Sequence, residues 1–511
     1  MVTKAFASAA IFLLCNGAAF SESSPPLSAI DWLSNSVAEE GVSPEVGAAM
    51  PGVSAPAAVQ VLPLDAPTID SVGVLDPVAF GVPADLWGRS SAGDLAEALS
   101  RVTLTSDAPP AIMRFMVQLL QAKLEPPIDA AVTDRFFYAR VDRLLEKGHL
   151  DAANALLSAS GITDPASFRR RFDIALLTEN ETEACREIEE TPELSPTYPA
   201  RIFCLARLGQ FDVAALTLGN AETLGILTED EDTLLLHFLD PELFEGEPIP
   251  QPPSVPTPLQ FRLYEAVGER IATEGLPLPF AFADMSGTVG WKARLGAAER
   301  LAATGAIQFE RMLDVYLERA PSASGGVWER VRALQDLVDA VNREDDTGVS
   351  EALPTVWNAA RQTGYAPALA TWLSPKLADR SELGRASHVA FEVALMAGDP
   401  ESARKFSDGS REDRFLLSIA ENAFGSTSAS DVLGRAVLRG LSSVNAGSAY
   451  ESLIADDRQG EALFRALDHL ADGANGNPDT TAQSLAALRR LGLDDLARQI
   501  AVELVLKEGA A

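Results

Sequence analysis

Between Phe136 and Leu145 the residues Phe136, Phe137, Ala139, Arg140, Val141, Leu144 and Leu145 recur at intervals of three and four, which places them on one face of a helix. The same period predicts helices over Pro110 to Leu124, Asp134 to Lys147, Ala166 to Thr178, Trp291 to Thr304, Phe309 to Arg319 and Val327 to Asn342. Two more follow near the end, over Leu485 to Leu491 and Asp494 to Lys507. Apolar-polar alternation of strand length is scarce, so the expected fold class is all-α. Before about residue 90 the texture differs. From Ser21 to Pro83 the chain is rich in Pro, Ala, Val, Ser and Gly, as between Pro51 and Pro67, and keeps no helical period. Such a stretch reads as a disordered linker. The Pro cluster from Pro248 to Pro258 then divides the helical part, giving helical arrays over 91–247 and 259–511 joined by a linker over 248–258.

A helix-ending Gly, an acidic residue three positions on and an Ala two beyond that recur as Gly148, Asp151, Ala153; Gly209, Asp212, Ala214; Gly398, Glu401, Ala403; and Gly492, Asp495, Ala497. Gly closes the first helix in a left-handed conformation, the carboxylate suits the start of the second, and Ala lets the two approach closely. The Gly residues are spaced near whole multiples of roughly 31 residues, the scale of helical-hairpin repeats. These windows resemble the tetratricopeptide-like helical repeat superfamily, whose hairpins carry Gly at the turn and Ala five residues later. The family's small residue seven positions before the Gly is replaced here by Val141, Ile202, Phe391 and Leu485, so the resemblance implies an α-solenoid of degenerate helical hairpins. A second likeness is carried by PLSAIDWLS, by the segment from Cys185 to Cys204, and by GTVGWKARLGAAERL. These stretches are similar to exported proteins of alphaproteobacteria loosely labelled antifreeze-related, although no flat Thr-rich repeat accompanies them.

The first residues indicate a compartment. Lys4, the apolar run from Ala5 to Leu14 and the small residues Ala19 and Ser21 have the order of a signal peptide over 1–21, with cleavage before Glu22. The run is too short to span a bilayer. Cys15 follows bulky Leu14, where a lipoprotein signal needs a small residue, and is expected to leave with the leader. The expected location is the periplasm, as a soluble protein. With 73 acidic and 41 basic residues the chain carries −32, so nucleic acid and anionic lipid are excluded as partners, and no later stretch is apolar enough for a membrane helix.

Cys185 and Cys204 lie in helix-like segments, Thr182 to Glu189 and Arg201 to Leu208, joined by the turn TPELSPTYP. An antiparallel hairpin sets them side by side, and an oxidising compartment would join them; the alternative is two separate buried thiols. Candidate chemistry is sparse. His149, His237, His388 and His469 are scattered without metal-ligand spacing and read as turn or helix-surface residues. Ser402 and Lys405 form S-x-x-K without a K-T-G partner and fall in a repeat turn, which reads as helix surface. Asp472, Asn475, Asn477 and Asp479 form an oxygen-rich loop that lacks EF-hand spacing. Trp291, Trp328, Trp357 and Trp372 sit in helical periods and read as core, with a carbohydrate platform as the alternative. Neither a catalytic residue, a metal ligand nor a cofactor is assigned.

One short stretch stands apart. Leu27, Ile30, Trp32 and Leu33 are concentrated in a tail otherwise made of Pro and small residues, and Leu27, Ile30 and Leu33 would share a helical face. They form a candidate docking peptide, either for the protein's own body or for a partner. The functional expectation is an exported scaffold or adaptor that binds another envelope protein or peptide, as in a secretion or motility assembly. The alternative is a periplasmic enzyme or carbohydrate-binding protein acting on peptidoglycan.

Overall fold

The computed structural model describes residues 30, 32–33, 68–105, 107–380, 383–443 and 445–508. The proposed leader, Leu27 and most of the Pro-rich linker lie outside the described residues. Among the described residues there is no β-strand, only a single bridge between Leu75 and Ala122. The first helices are α1 (Ala92–Arg101), α2 (Pro110–Gln121), α3 (Arg135–Glu146) and α4 (Leu150–Ser160). Then come α5 (Pro165–Leu177), α6 (Glu181–Glu190), α7 (Tyr198–Arg207), α8 (Phe211–Thr223), α9 (Glu229–Leu239) and α10 (Pro258–Ala266). After a 3-10 segment, Leu278–Met285, follow α11 (Trp291–Thr304), α12 (Phe309–Leu317), α13 (Val327–Asn342), α14 (Asp346–Thr363), α15 (Ala366–Leu377) and α16 (Ser387–Met396). The chain ends in α17 (Pro400–Phe406), α18 (Arg411–Ala420), α19 (Val432–Ser442), α20 (Ser448–Ala455), α21 (Gln459–Ala471), α22 (Pro478–Arg490) and α23 (Asp494–Glu508).

The repeat turns have the geometry that their spacing predicts. Gly148, Gly209, Gly398 and Gly492 have φ of 82°, 80°, 77° and 79°, a region open to Gly without Cβ strain. At each, the Gly N–H bonds to the carbonyl three residues back and the next N–H to the carbonyl five back, the closure that satisfies a helix's last carbonyls. Ala153, Ala214, Ala403 and Ala497 are all fully buried where the paired helices meet. The same pair of bonds closes α5, α13, α18 and α20 at Glu179, Glu344, Asn422 and Asp457, each with a positive φ of 56–60°. Those turns carry no Gly, so the sequence pattern does not mark them.

Two cores result. The larger runs through α1–α4 and α11–α23 and takes in Ile174 and Leu177 of α5 and Phe261 of α10. The smaller is built by α5–α10, from Phe168, Phe172, Leu176, Ile188, Phe203 and Leu235 to Leu259, Leu263 and Tyr264. After the Pro cluster Thr257 caps α10 with Pro258 in its first turn, and the helix folds back onto α5 and α9. Val82, Leu86 and Trp87 are buried in the larger core, and the strap at Asp70 and Val72 is held by Arg140. The buried Arg140 guanidinium donates to the carbonyls of Asp70, Val72, Leu120 and Ala122, so a cation on the apolar face of α3 has its donors met.

An open solenoid keeps its first and last hairpins apart. Here α1 packs on α21 and α2 on α23. The Trp87 ring lies 5.0 Å from Phe136 and 5.8 Å from Phe464. A Cβ on Gly460 would come within 2.6 Å of Leu95 and 2.7 Å of Trp87. The buried Glu503 of α23 accepts from the Ala111 N–H at 2.6 Å, in the first turn of α2, and from Arg114 at 2.8 Å. A carboxylate from the last helix thus serves the positive end of the second. Thr103 donates its backbone N–H to Asp468 at 3.1 Å, and Lys507 pairs with Asp107 at 2.8 Å. The two ends of the helical chain are sewn together.

Candidate docking surfaces

The smaller core forms a lobe whose centre is the α6–α7 hairpin. Thr197 caps α7 after the Pro-rich turn, and the antiparallel approach brings Cys185 and Cys204 to a Cα separation of 4.8 Å, joined as a disulfide. Both cysteines are buried beside Phe203 and Ile188.

α8 stands at the edge of this lobe. Ala214, Leu218 and Ala221 point inward, and the two alanines let α7 and α9 approach. The opposite face carries Val213, Leu216 and Leu224, exposed by 47%, 66% and 69%, with Asn220 between them. At 100° per residue these positions share one stripe. Phe211 and Ile226 are exposed at its two ends, and Leu243 and Val255 further along the chain. From Leu208 to Phe261 the chain has ten Asp or Glu and no Lys or Arg. Among the described residues none of those ten carboxylates is in an ion pair, although Glu231 closes a capping box with Thr228 at the start of α9. Burial raises the Asp232 carboxyl above its ordinary range, and the negative Glu222 beside it pushes the same way.

The described part of the N-terminal segment lies against the body. Trp32 and Leu33 are 4% and 3% exposed, Ile30 packs beside them, and the Trp32 ring meets Phe280 edge-on at 5.8 Å. Phe280 also meets Phe261 of α10, so this contact sits where the two cores adjoin.

The remaining candidates do not converge. His149 is buried in the turn before α4, where loss of hydration pushes it down to about 4. His237 is buried against the Thr233 carbonyl at 2.8 Å. His388 is exposed beside Glu392 and Asp413, at 3.6 and 3.9 Å, and His469 meets the Tyr450 hydroxyl at 2.6 Å. Two of the four are therefore interior rather than surface residues. Among the described residues no group of three or more His, Cys, Asp or Glu could hold a metal ion. Ser402 is buried in the first turn of α17, correcting its surface reading, while Lys405 reaches the Ala378 carbonyl at 3.1 Å. Asn477 caps α22 and Asp479 pairs with Arg439 at 2.6 Å, so the oxygen-rich loop is engaged in helix capping. Trp291 donates to the Val315 carbonyl at 2.8 Å and packs on Trp328; Trp357 donates to Glu392 at 2.6 Å; and Trp372 packs on Phe309. A cleft of about 550 Å³ opens beside Ser410, Phe415, Asp431 and Val505, but Ser410 and Asp431 already cap the helix ends facing it.

No protein-family model matches this chain, and neither do any curated protein or solved structure.

Proposed function

We propose that the protein is an exported helical-repeat scaffold that binds another envelope protein through its disulfide-linked lobe. One observation carries this reading. Of the thirteen exposed large apolar side chains among the described residues, seven lie between Phe211 and Val255. Three of the seven, Val213, Leu216 and Leu224, share the outer face of α8, and apolar exposure gathered on one face is the mark of an interaction surface, whereas scattered single residues are ordinary. Export is supported by the order of charge and hydropathy in the first 21 residues and by the Cys185–Cys204 bridge, which persists in oxidising compartments. In this reading the hairpins form a degenerate array closed on itself rather than an open superhelix. Its outward-facing edge, α8, does the binding, and Trp32 and Leu33 act as an internal clasp. Among the described residues no helix is long and apolar enough to cross a membrane.

The test is capture from envelope extract by the purified protein. A defined partner should be retained, and Leu216→Ser should weaken its retention without lowering the thermal midpoint. Retention unchanged by substitutions along α8, or release of fragments from added peptidoglycan, would contradict the reading.

A further inference from the structure

The stripe on α8 gives the location of a contact, and the charges around it give the chemistry of what it meets. Elsewhere in the molecule many carboxylates pair with arginines, as in Arg330–Glu299, Arg170–Asp142 and Arg207–Glu181. Beyond Arg207 that matching stops until Arg262. Asp212 flanks the stripe on α8 itself, and Glu229 and Asp230 open the neighbouring helix; all three are exposed. The Asp232 Oδ1 oxygen is shielded from solvent without a hydrogen-bond partner. An apolar strip bordered by carboxylates that lack cations complements an apolar strip bordered by cations.

We propose that α8 and the start of α9 bind a cationic amphipathic helix of a partner protein, its apolar side on Val213, Leu216 and Leu224 and its Lys or Arg side chains among the carboxylates. The proposal rests on the scaffold reading and names the partner's chemistry. Other occupants fit poorly. The chain before Thr68 has one cation, Lys4, and the span 34–67 has only acidic charges, so this protein's own tail does not match. A second copy would bring the same carboxylates to the same face. Nucleic acid and anionic lipid are repelled by −32.

The probe is a fluorescent helical peptide of Leu and Lys, about fourteen residues long, with Leu at positions i, i+3, i+4 and i+7. Binding to the full-length protein is read by anisotropy at about 150 mM salt, where distant charges are screened. Saturable one-to-one binding is expected, weakened about tenfold by the double variant Val213→Ser, Leu216→Ser, which leaves net charge unchanged. A peptide with Glu in place of Lys should not bind. Both substituted side chains are largely exposed, so an unchanged melting curve checks the fold. Equal binding to the serine variant would reduce the effect to general attraction by an acidic chain and overturn the proposal. So would equal binding of the Glu peptide, or a dimer that the serine variant dissolves. If envelope capture depends on Leu216 but the Lys peptide does not bind, the scaffold reading stands and this proposal falls.

Discussion

The body and the lobe are both made of helical hairpins, yet they are held together differently. In the body the first and last helices meet, with Trp87 between Phe136 and Phe464 and Glu503 bound to the start of α2, so stability comes from a large continuous core. The lobe has a smaller core, from Phe168 to Tyr264, and a covalent link at its centre. A small core supplies less burial per residue, and a crosslink compensates by restricting the unfolded chain. Their surfaces differ in the same sense. Many carboxylates of the body pair with arginines, as in Arg330–Glu299 and Arg380–Asp346, while among the described residues none of the ten in the second half of the lobe does, and its apolar side chains face outward. In the proposed reading, the part without internal cations is the one that faces a partner.

Removing the aromatic hub of the body should break the comparison most strongly. Trp87→Ala takes away a ring that is 2% exposed and should cost about 3–5 kcal/mol, with hydrogen exchange accelerating through α1, α3 and α21. Retained protection in α6–α8 would show that the two regions open separately; simultaneous loss would make them one unit. The converse change is the pair Cys185→Ser, Cys204→Ser. Opening a crosslink between residues separated by 19 positions should cost about 3 kcal/mol, read as loss of protection in α5–α10 with the body unchanged.

A pH test separates the regions by location. Burial pushes Asp70 up to about 6, against the opposing pull of the Phe137 amide and the Arg140 guanidinium. Its folded value lies above the ordinary 3.8, so the favourable contribution is fully present below about pH 4 and is lost as pH rises through about 6. Asp70→Asn should therefore add about 2–3 kcal/mol at pH 7 and nothing near pH 3.5. His149 acts in the opposite sense: its contribution is full above about 6.5 and is lost as pH falls through about 4. The two slopes oppose each other between these values in the native protein, and Asp70→Asn removes the opposing one from that of His149. Both changes should be confined to the body. The smallest expected effect is at a turn. Glu344 is exposed with a φ of 56°, so Glu344→Gly should raise stability by about 0.5–1 kcal/mol in a melting experiment, provided relief of backbone strain exceeds the entropy that Gly adds to the unfolded chain.

Local features of the fold were legible in the sequence. The period from Phe136 to Leu145 is the buried face of α3, the predicted spans Trp291–Thr304 and Val327–Asn342 coincide with α11 and α13, and the four Gly turns adopt their expected conformation. The Cys pair was legible because its hairpin is short. Turns at Glu179, Glu344, Asn422 and Asp457 were not, since these positions take a positive φ without a Gly to mark them. Closure of the body escaped for another reason: the partners of Thr103 and Ala111 are Asp468 and Glu503, hundreds of positions away, and no local period encodes such pairing. Residues 68–90 looked like linker because 3-10 turns rich in Pro and Gly lack helical periodicity even where Trp87 is buried. The proposed docking face was half legible. A run from Leu208 to Phe261 without Lys or Arg is visible in the sequence, but only the fold shows that Val213, Leu216 and Leu224 turn away from the core.

The most direct test of this division is hydrogen exchange of the full-length protein, resolved along the chain, with and without the Leu and Lys peptide. The account predicts slower exchange from Phe211 to Ile226 and at the start of α9, with the rates of the body unchanged. Protection that appears on the body, or nowhere, would contradict it.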